Sequence, residues 1–409
     1  MIKCILRFLQ NIDFDNYREA TIMKEIPLSV PNLNIDILDN LRECIETGWV
    51  STGGRFITEF EQKLANYVGV PDAVSVQSGT AGLHLALIAA GVEANDEVVV
   101  PALTFIAAVN PVRYMRAEPV FMDCDDSLCM DSDKLENFFA GSCTLTENGL
   151  INNLTKKKIS AIIIVHVFGN MANMERITSV ASKYNLPVIE DATEALGTYY
   201  EAGRYKGKFA GATGDIGVYS FNANKIITTG GGGMVVAKDQ NQLDKIRYLS
   251  ITAKDDALYF VHDEVGYNYR MLNIQAALGV SQIDELEKFI EIKKKNYEHY
   301  QELLANKSGI EILPFATNIR PNYWFYSIFV DSSKFGLSRD ELMKKLLSAN
   351  VQCRPVWKLI NMQKPYLHSL SVDVVNATKY EANVLNLPCS TNLNDEQINY
   401  ICDIIIEAV

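Results

Sequence analysis

Three stretches of this chain carry side chains whose types and spacing could do chemistry. In DIGVYSFNANKIITTGGGGMVV, residues 215–236, a single lysine, Lys225, sits between a β-branched apolar run and four consecutive glycines. The run (Ile216, Val218, Tyr219) reads as a buried strand. It breaks into a polar loop at Ser220-Phe221-Asn222-Ala223-Asn224, and a strand resumes at Met234. Gly230–Gly233 allow backbone conformations closed to other residues, so the lysine lies in a loop shaped by a tight turn. A lysine held there and partly dried could form a Schiff base; it could equally be a surface lysine beside a glycine turn. The second stretch, VIEDATEALG, sends Asp191 from a strand end, either towards a cation or as a cap for a following helix. The third, Ser78-Gly79-Thr80-Ala81-Gly82, joins a short strand to a helix. Such a junction is a plain Ser/Thr cap or a cradle for phosphate, with the Thr80 hydroxyl as an added donor.

The elements that must position these residues alternate. Short apolar strands are expected at Ala73–Gln77, Glu97–Val100, Val120–Phe121, Ala161–Val165 and Val188–Ile189. Helical patterns lie between and around them, at Ile35–Glu46, Thr58–Val68, after Leu83 and at Met174–Tyr184. That alternation predicts an α/β domain with a mainly parallel sheet, in which ligands bind at the carboxyl ends of strands. Phe105, His166 and Asp191 fall there, with His166 read as a hydrogen-bonded core histidine. A long helix over Gln282–Leu304 leads into a second region. There a strand is expected at Tyr323–Val330, a helix opened by the capping box Ser338…Glu341, a strand at Val351–Val356, and a last helix capped by Asn394 and Gln397. The resulting division is an N-terminal extension (1–23), a large domain (24–284) and a small C-terminal domain (285–409).

Composition bounds the reading. The 409 residues are 48% hydrophobic and 22% charged, enough for a large core and two domains. With 38 basic and 50 acidic residues the net charge is −12, which argues against a general nucleic-acid or anionic-membrane binder. Eight scattered cysteines form no CxxC pair and no His/Cys cluster, so reduced thiols, a cytoplasmic location and no metal are expected. The apolar start of residues 1–17 is interrupted by Lys3, Arg7 and Gln10 and is a poor signal peptide, and no apolar run approaches the length of a membrane helix. No GxGxxG opens a helix after a strand, and GRYKGKF (203–209) fails as a phosphate-binding P-loop.

Taken together, a lysine in a strand-end loop, an aspartate at a strand end, a phosphate-ready helix start and the aromatic Phe105 match what pyridoxal phosphate requires. The chain from about Ile26 onward resembles the sugar aminotransferases of the DegT/DnrJ/EryC1/StrS family. SGTAGLHLAL, DEVVVPALTFIAAVN, VIEDATEALG, GDIGVYSFNANKIITTGGGG and GYNYRM carry the resemblance, in that order. It implies the aspartate aminotransferase fold (fold type I), pyridoxal 5′-phosphate as cofactor, and Lys225 and Asp191 as catalytic residues. Lys225 would bond the cofactor and Asp191 would partner the pyridine nitrogen. Gly79, Thr80, Ala81 and Ser220 would hold the phosphate and Phe105 would stack on the ring. Asn268 would reach the site of the neighbouring subunit in a homodimer. Two departures stand out: Glu194 where many members have Gln, at the place that meets the phenolic oxygen, and Asn222 where some carry His, which the resemblance places near the cofactor phosphate or the substrate.

The resemblance further implies amine transfer from L-glutamate to a nucleotide-linked keto sugar. KEIPLSVPNL, TGWVSTGG and QCRPVWKLI look most like members acting on UDP-linked 4-keto-6-deoxy-N-acetylhexosamines in bacillosamine or legionaminic acid routes. GDP- and dTDP-linked sugars are the alternatives, as is a scaffold that keeps the fold without catalysis. Arg204, Lys206, Lys208 and Arg354 are candidate contacts for the diphosphate.

Overall fold

A computed structural model describes residues 25–256 and 258–409. The expected extension, residues 1–23, lies outside the described residues. Ten strands precede residue 240: β1 (Val74–Val76), β2 (Glu97–Pro101), β3 (Glu118–Met122), β4 (Cys143–Thr146), β5 (Gly149–Asn152), β6 (Lys158–Val165), β7 (Val188–Asp191), β8 (Tyr199–Tyr200), β9 (Ile216–Ser220) and β10 (Gly233–Ala237). The main sheet runs β1-β10-β9-β7-β6-β2-β3 and ends on a short strand, Ser371–Val372; the β4–β5 hairpin attaches to β6. From β9 across to Ser371–Val372 every ladder on this path is parallel, whereas β10 runs against both of its neighbours, β1 and β9. All but the first residue of β6 are buried, and such strands can be apolar throughout because both faces of a parallel sheet are covered. The register sets Asp191 beside Val165 on one side and Val218 on the other. The carboxyl ends of β6, β7 and β9 therefore meet at one edge, where Gly233 pairs with Ser220 and Ser78 with Gly232.

The helix Gly79–Ala89 is almost wholly buried against this sheet. Gly82 makes the approach possible, since a Cβ there would lie 2.8 Å from a Val218 methyl. The expected helix over Gln282–Leu304 is two helices, Asn273–Asp284 and Leu286–Leu304, divided at Glu285. The reason is that they bury against different partners. Gly279 of the first sits under the Phe60 ring, whereas Tyr297 and Tyr300 of the second pack on Tyr326. Beyond them a four-stranded antiparallel sheet forms from Ile310–Ile312, Tyr326–Val330, Val384–Leu387 and Arg354–Pro355. The strand expected at Val351–Val356 thus shrinks to two residues, because Val351 bridges instead to Ile26. The capping boxes Ser338/Glu341 and Asn394/Gln397 are formed as expected.

The chain also crosses between the two regions. Leu28 accepts from Cys389, and Ser371–Val372 completes the edge of the large sheet. Buried Asp123, just after β3, accepts from the backbone N–H groups of Val375, Asn376 and Ala377.

Candidate active site

The loop after β9 closes on itself before β10 begins. Phe221 donates to Gly232 and accepts from Thr229, and the Lys225 N–H donates to Asn222 at 2.9 Å. Gly232, at φ 125°, lies in a region that favours glycine, and a Cβ there would be 2.6 Å from Thr229 Oγ1. The Lys225 side chain is 13% exposed, and its Nζ lies 3.6 Å from Glu194 Oε1. On another side it lies 4.0 Å from the centroid of the Trp324 ring.

Asp191 ends β7, and its Oδ1 accepts from the Thr193 N–H at 3.0 Å. Turns follow it, so the helix-cap alternative falls away. Burial raises the Asp191 pKa; bonds from Thr193 and the charges of Lys225 and His166 oppose the shift. Glu194 Oε2 accepts from the Phe168 N–H at 3.0 Å, and Phe168 is held at φ 56°. Burial pushes Glu194 up to about 7 against the pull of Lys225 and the Phe168 N–H, with Asp191 adding to the rise. His166 is a core residue, as read: Nε2 lies 2.7 Å from Glu190 Oε2, and Nδ1 accepts from Ala172.

At the helix start Ser78, and not Thr80, is the cap; its Oγ accepts from the Ala81 N–H at 3.1 Å. A cap bonds the second or third residue of the helix, and here that takes up Ala81. The N–H groups of Gly79 and Thr80 are among those that intrahelical bonding leaves over. Gly79 approaches the loop closely, for a Cβ would lie 2.8 Å from Thr193 Cγ2 and 3.2 Å from Ser220 Cβ.

Gly79, Thr80, Phe105, Asp191, Glu194, Ser220, Asn222 and Lys225 line one cavity of 640 Å³. Phe105 is half exposed at 53%. Ala81 and Asn268 do not line the cavity: Ala81 is bonded to Ser78, and Asn268 is exposed, bridging to Ile251. Of the four cations expected near a diphosphate, only Arg354 lines it. Lys206 and Lys208 sit in the turns after β8, and Arg204 faces a separate hollow with Thr178 and Lys238. The C-terminal region adds Trp324, Phe325, Trp357 and Lys358 to the wall. These were missed, since Trp324 and Phe325 read in sequence as strand interior, and only their contact with Phe168 and Lys225 reveals them. Among the described residues no group of His, Cys, Asp or Glu could hold a metal ion, and no helix is long and apolar enough to cross a membrane.

The model of the DegT/DnrJ/EryC1/StrS aminotransferase family matches residues 31–406. The chain belongs to this family. It is a pyridoxal-phosphate-dependent sugar aminotransferase. A GDP-perosamine synthase of Caulobacter vibrioides is 36% identical over 381 residues, covering 93% of this chain and 97% of that protein. A UDP-4-amino-4-deoxy-L-arabinose–oxoglutarate aminotransferase of Shewanella sediminis is 28% identical over 402 residues, covering 94% and 98%. The crystal structure of DesI in the presence of its TDP-sugar product superposes with a TM-score of 0.82 at 27% identity, covering 93% of each chain. The residues present fit the cofactor. Two buried carboxylates with raised pKa values and the mostly buried Lys225 face a single cavity, beside a helix start with unclaimed N–H groups.

Proposed function

We propose that this aminotransferase moves an amino group from L-glutamate to the 4-keto carbon of a nucleotide-linked 4-keto-6-deoxy sugar. The observation that carries the reading is the meeting of Lys225, Asp191 and Glu194 at one cavity that also presents Arg354. When bound, pyridoxal 5′-phosphate supplies an electron-withdrawing ring that stabilises negative charge on the carbon next to the transferred nitrogen. Lys225 is the residue that would bond the cofactor, and its amine, when free, would serve as the general base that moves a proton. Asp191, buried and raised in pKa, would partner the protonated pyridine nitrogen, whose charge would favour its ionised form. Gly79, Thr80 and Ser220 would hold the phosphate, with Ala81 supporting it through Ser78 and Asn222 near the phosphate or the substrate, and Phe105 would stack on the ring. Glu194 would face the phenolic oxygen, where a group titrating near neutrality can share a proton.

The enzyme works as a homodimer in the cytoplasm, with Asn268 serving the neighbouring subunit's site. Exposure of Asn268 and Phe105 and the free thiols of the described cysteines support this. The division at residue 285 belongs to the same reading. It is supported by the helix break there and qualified by Ile26 and Ser371–Val372, which each pair across it.

A UDP-linked 2-acetamido-2,6-dideoxy-4-ketohexose is the first choice of substrate, on the KEIPLSVPNL, TGWVSTGG and QCRPVWKLI stretches. The second is a GDP-linked 4-keto sugar, which the perosamine synthase similarity favours. The test is glutamate-dependent amination of a panel of UDP-, GDP- and dTDP-linked 4-keto sugars. The UDP substrate should turn over fastest. Preference for GDP establishes the second reading, and no product from any sinks both.

A further inference from the structure

One buried charge lies outside the chemistry above. Lys293, on the helix Leu286–Leu304, is 3% exposed and, among the described residues, pairs with no carboxylate. Its ammonium donates to the carbonyls of Trp324, at 3.1 Å, and Cys389, at 2.5 Å. Burial holds its pKa below the usual lysine value. An ammonium kept in such a place at this cost calls for a reason, and its partner supplies one.

Trp324 is itself buried and fastened from three directions. Its indole N–H donates to the carbonyl of Asn224, the residue before the reactive lysine, at 2.8 Å. Its backbone N–H donates to Asn322 Oδ1 at 2.9 Å, and the Asn322 amide donates onward to the carbonyls of Glu194 and Leu196 at 3.0 and 2.9 Å. Lys293 holds its carbonyl. The ring so fixed presents its face to the Lys225 ammonium, 4.0 Å from the centroid.

We propose that Trp324 is a positioning residue for Lys225, and that Lys293 acts through Trp324 by fixing its carbonyl. The indole face attracts the ammonium and closes one side of it to water, which leaves Nζ directed between Glu194 and the cavity. The Asn224 tether couples that ring to the loop backbone. The inference rests on Lys225 being the residue that bonds the cofactor.

The test uses full-length protein freed of cofactor and mixed with limiting pyridoxal 5′-phosphate, then borohydride. The lysine nitrogen bonds the aldehyde carbon with loss of water, and hydride reduces the carbon–nitrogen double bond. The labelled peptides are then quantified over time. In the wild type the label should collect on Lys225; label on other lysines alone would overturn the assignment of Lys225, and this inference with it. Given that assignment, Trp324→Leu should slow labelling of Lys225 about tenfold while an exposed lysine such as Lys295 labels as before. Trp324→Phe, which keeps a ring and protects against simple misfolding, should lose less. Lys293→Met should slow Lys225 labelling, and the double variant Trp324→Leu/Lys293→Met should be no slower than Trp324→Leu alone. Unchanged labelling in Trp324→Leu, a Phe variant as slow as Leu, or additive losses in the double variant would each overturn the proposal.

Discussion

Glu194→Gln separates the cost of a buried carboxylate from its use. Glu194 has a side chain only 4% exposed, and burial pushes its pKa from 4.5 up to about 7. Because the folded value lies above the unfolded one, the folded state binds this proton more tightly. The stability it brings is fully present below 4.5 and is lost as the pH rises through about 7. At about 1.4 kcal/mol per pKa unit the loss at alkaline pH is about 3 kcal/mol. With about 2.1 cal/mol/K of unfolding entropy per residue, that is about 4 °C in Tm for a chain of this size. Glutamine keeps an acceptor for the Phe168 N–H and cannot ionise. It does leave the Lys225 ammonium, 3.6 Å away, without its carboxylate, but burial is the larger effect on Glu194. Calorimetry of the cofactor-free wild type and Glu194→Gln across about pH 4 to 8.5 reads the balance. The variant should match the wild type at the acid end and gain about 4 °C at the alkaline end. A difference that does not change with pH, or that falls as pH rises, would refute the reasoning.

Lys225→Ala should abolish amine transfer and borohydride labelling of the peptide that holds position 225 while leaving far-ultraviolet circular dichroism unchanged; retained turnover would remove Lys225 from its role. Asp191→Asn should lower kcat about a hundredfold or more, read by steady-state amination, because an amide cannot balance a protonated ring nitrogen. Asp123→Ala should cost about 3 kcal/mol in denaturant unfolding, since it takes one carboxylate from Lys134, which keeps Asp373, and strands four backbone N–H groups around a buried site. Burial pushes the Asp123 carboxyl up, but Lys134 and the N–H groups of Ala377, Asn376 and Cys124 outweigh it and hold it low. Its contribution should therefore be present above pH 3.8 and fade as the pH falls through the folded value, which an acid titration of stability checks.

Local rules made much of the fold legible. The run AIIIV is a buried strand because nothing polar interrupts it, and Ser338/Glu341 caps its helix because both partners lie within one turn. The same local reading left the capping residue open within Ser78-Gly79-Thr80, since Ser78 and Thr80 are equally good caps by type and only the extended backbone at Ser78 decides between them. It ran one helix through Glu285, where the apolar spacing is continuous but the packing partner changes. It also grouped Arg204, Lys206 and Lys208 with Arg354 as equivalent cations, although the turns after β8 hold them away from the cavity.

The sequence by itself determined which residues could react. A lysine before a glycine turn, an aspartate at a strand end and a helix start of small residues are each set by neighbours a few positions away. The tertiary structure decided what surrounds them. Glu194 is a neutral-range titrating group only because the fold buries it beside Asp191, and Lys225 has an aromatic neighbour only because Trp324, nearly a hundred residues on, is tied back across it by Lys293 and Asn322. Desolvation and long-range contact depend on how distant segments pack, and no local spacing encodes them.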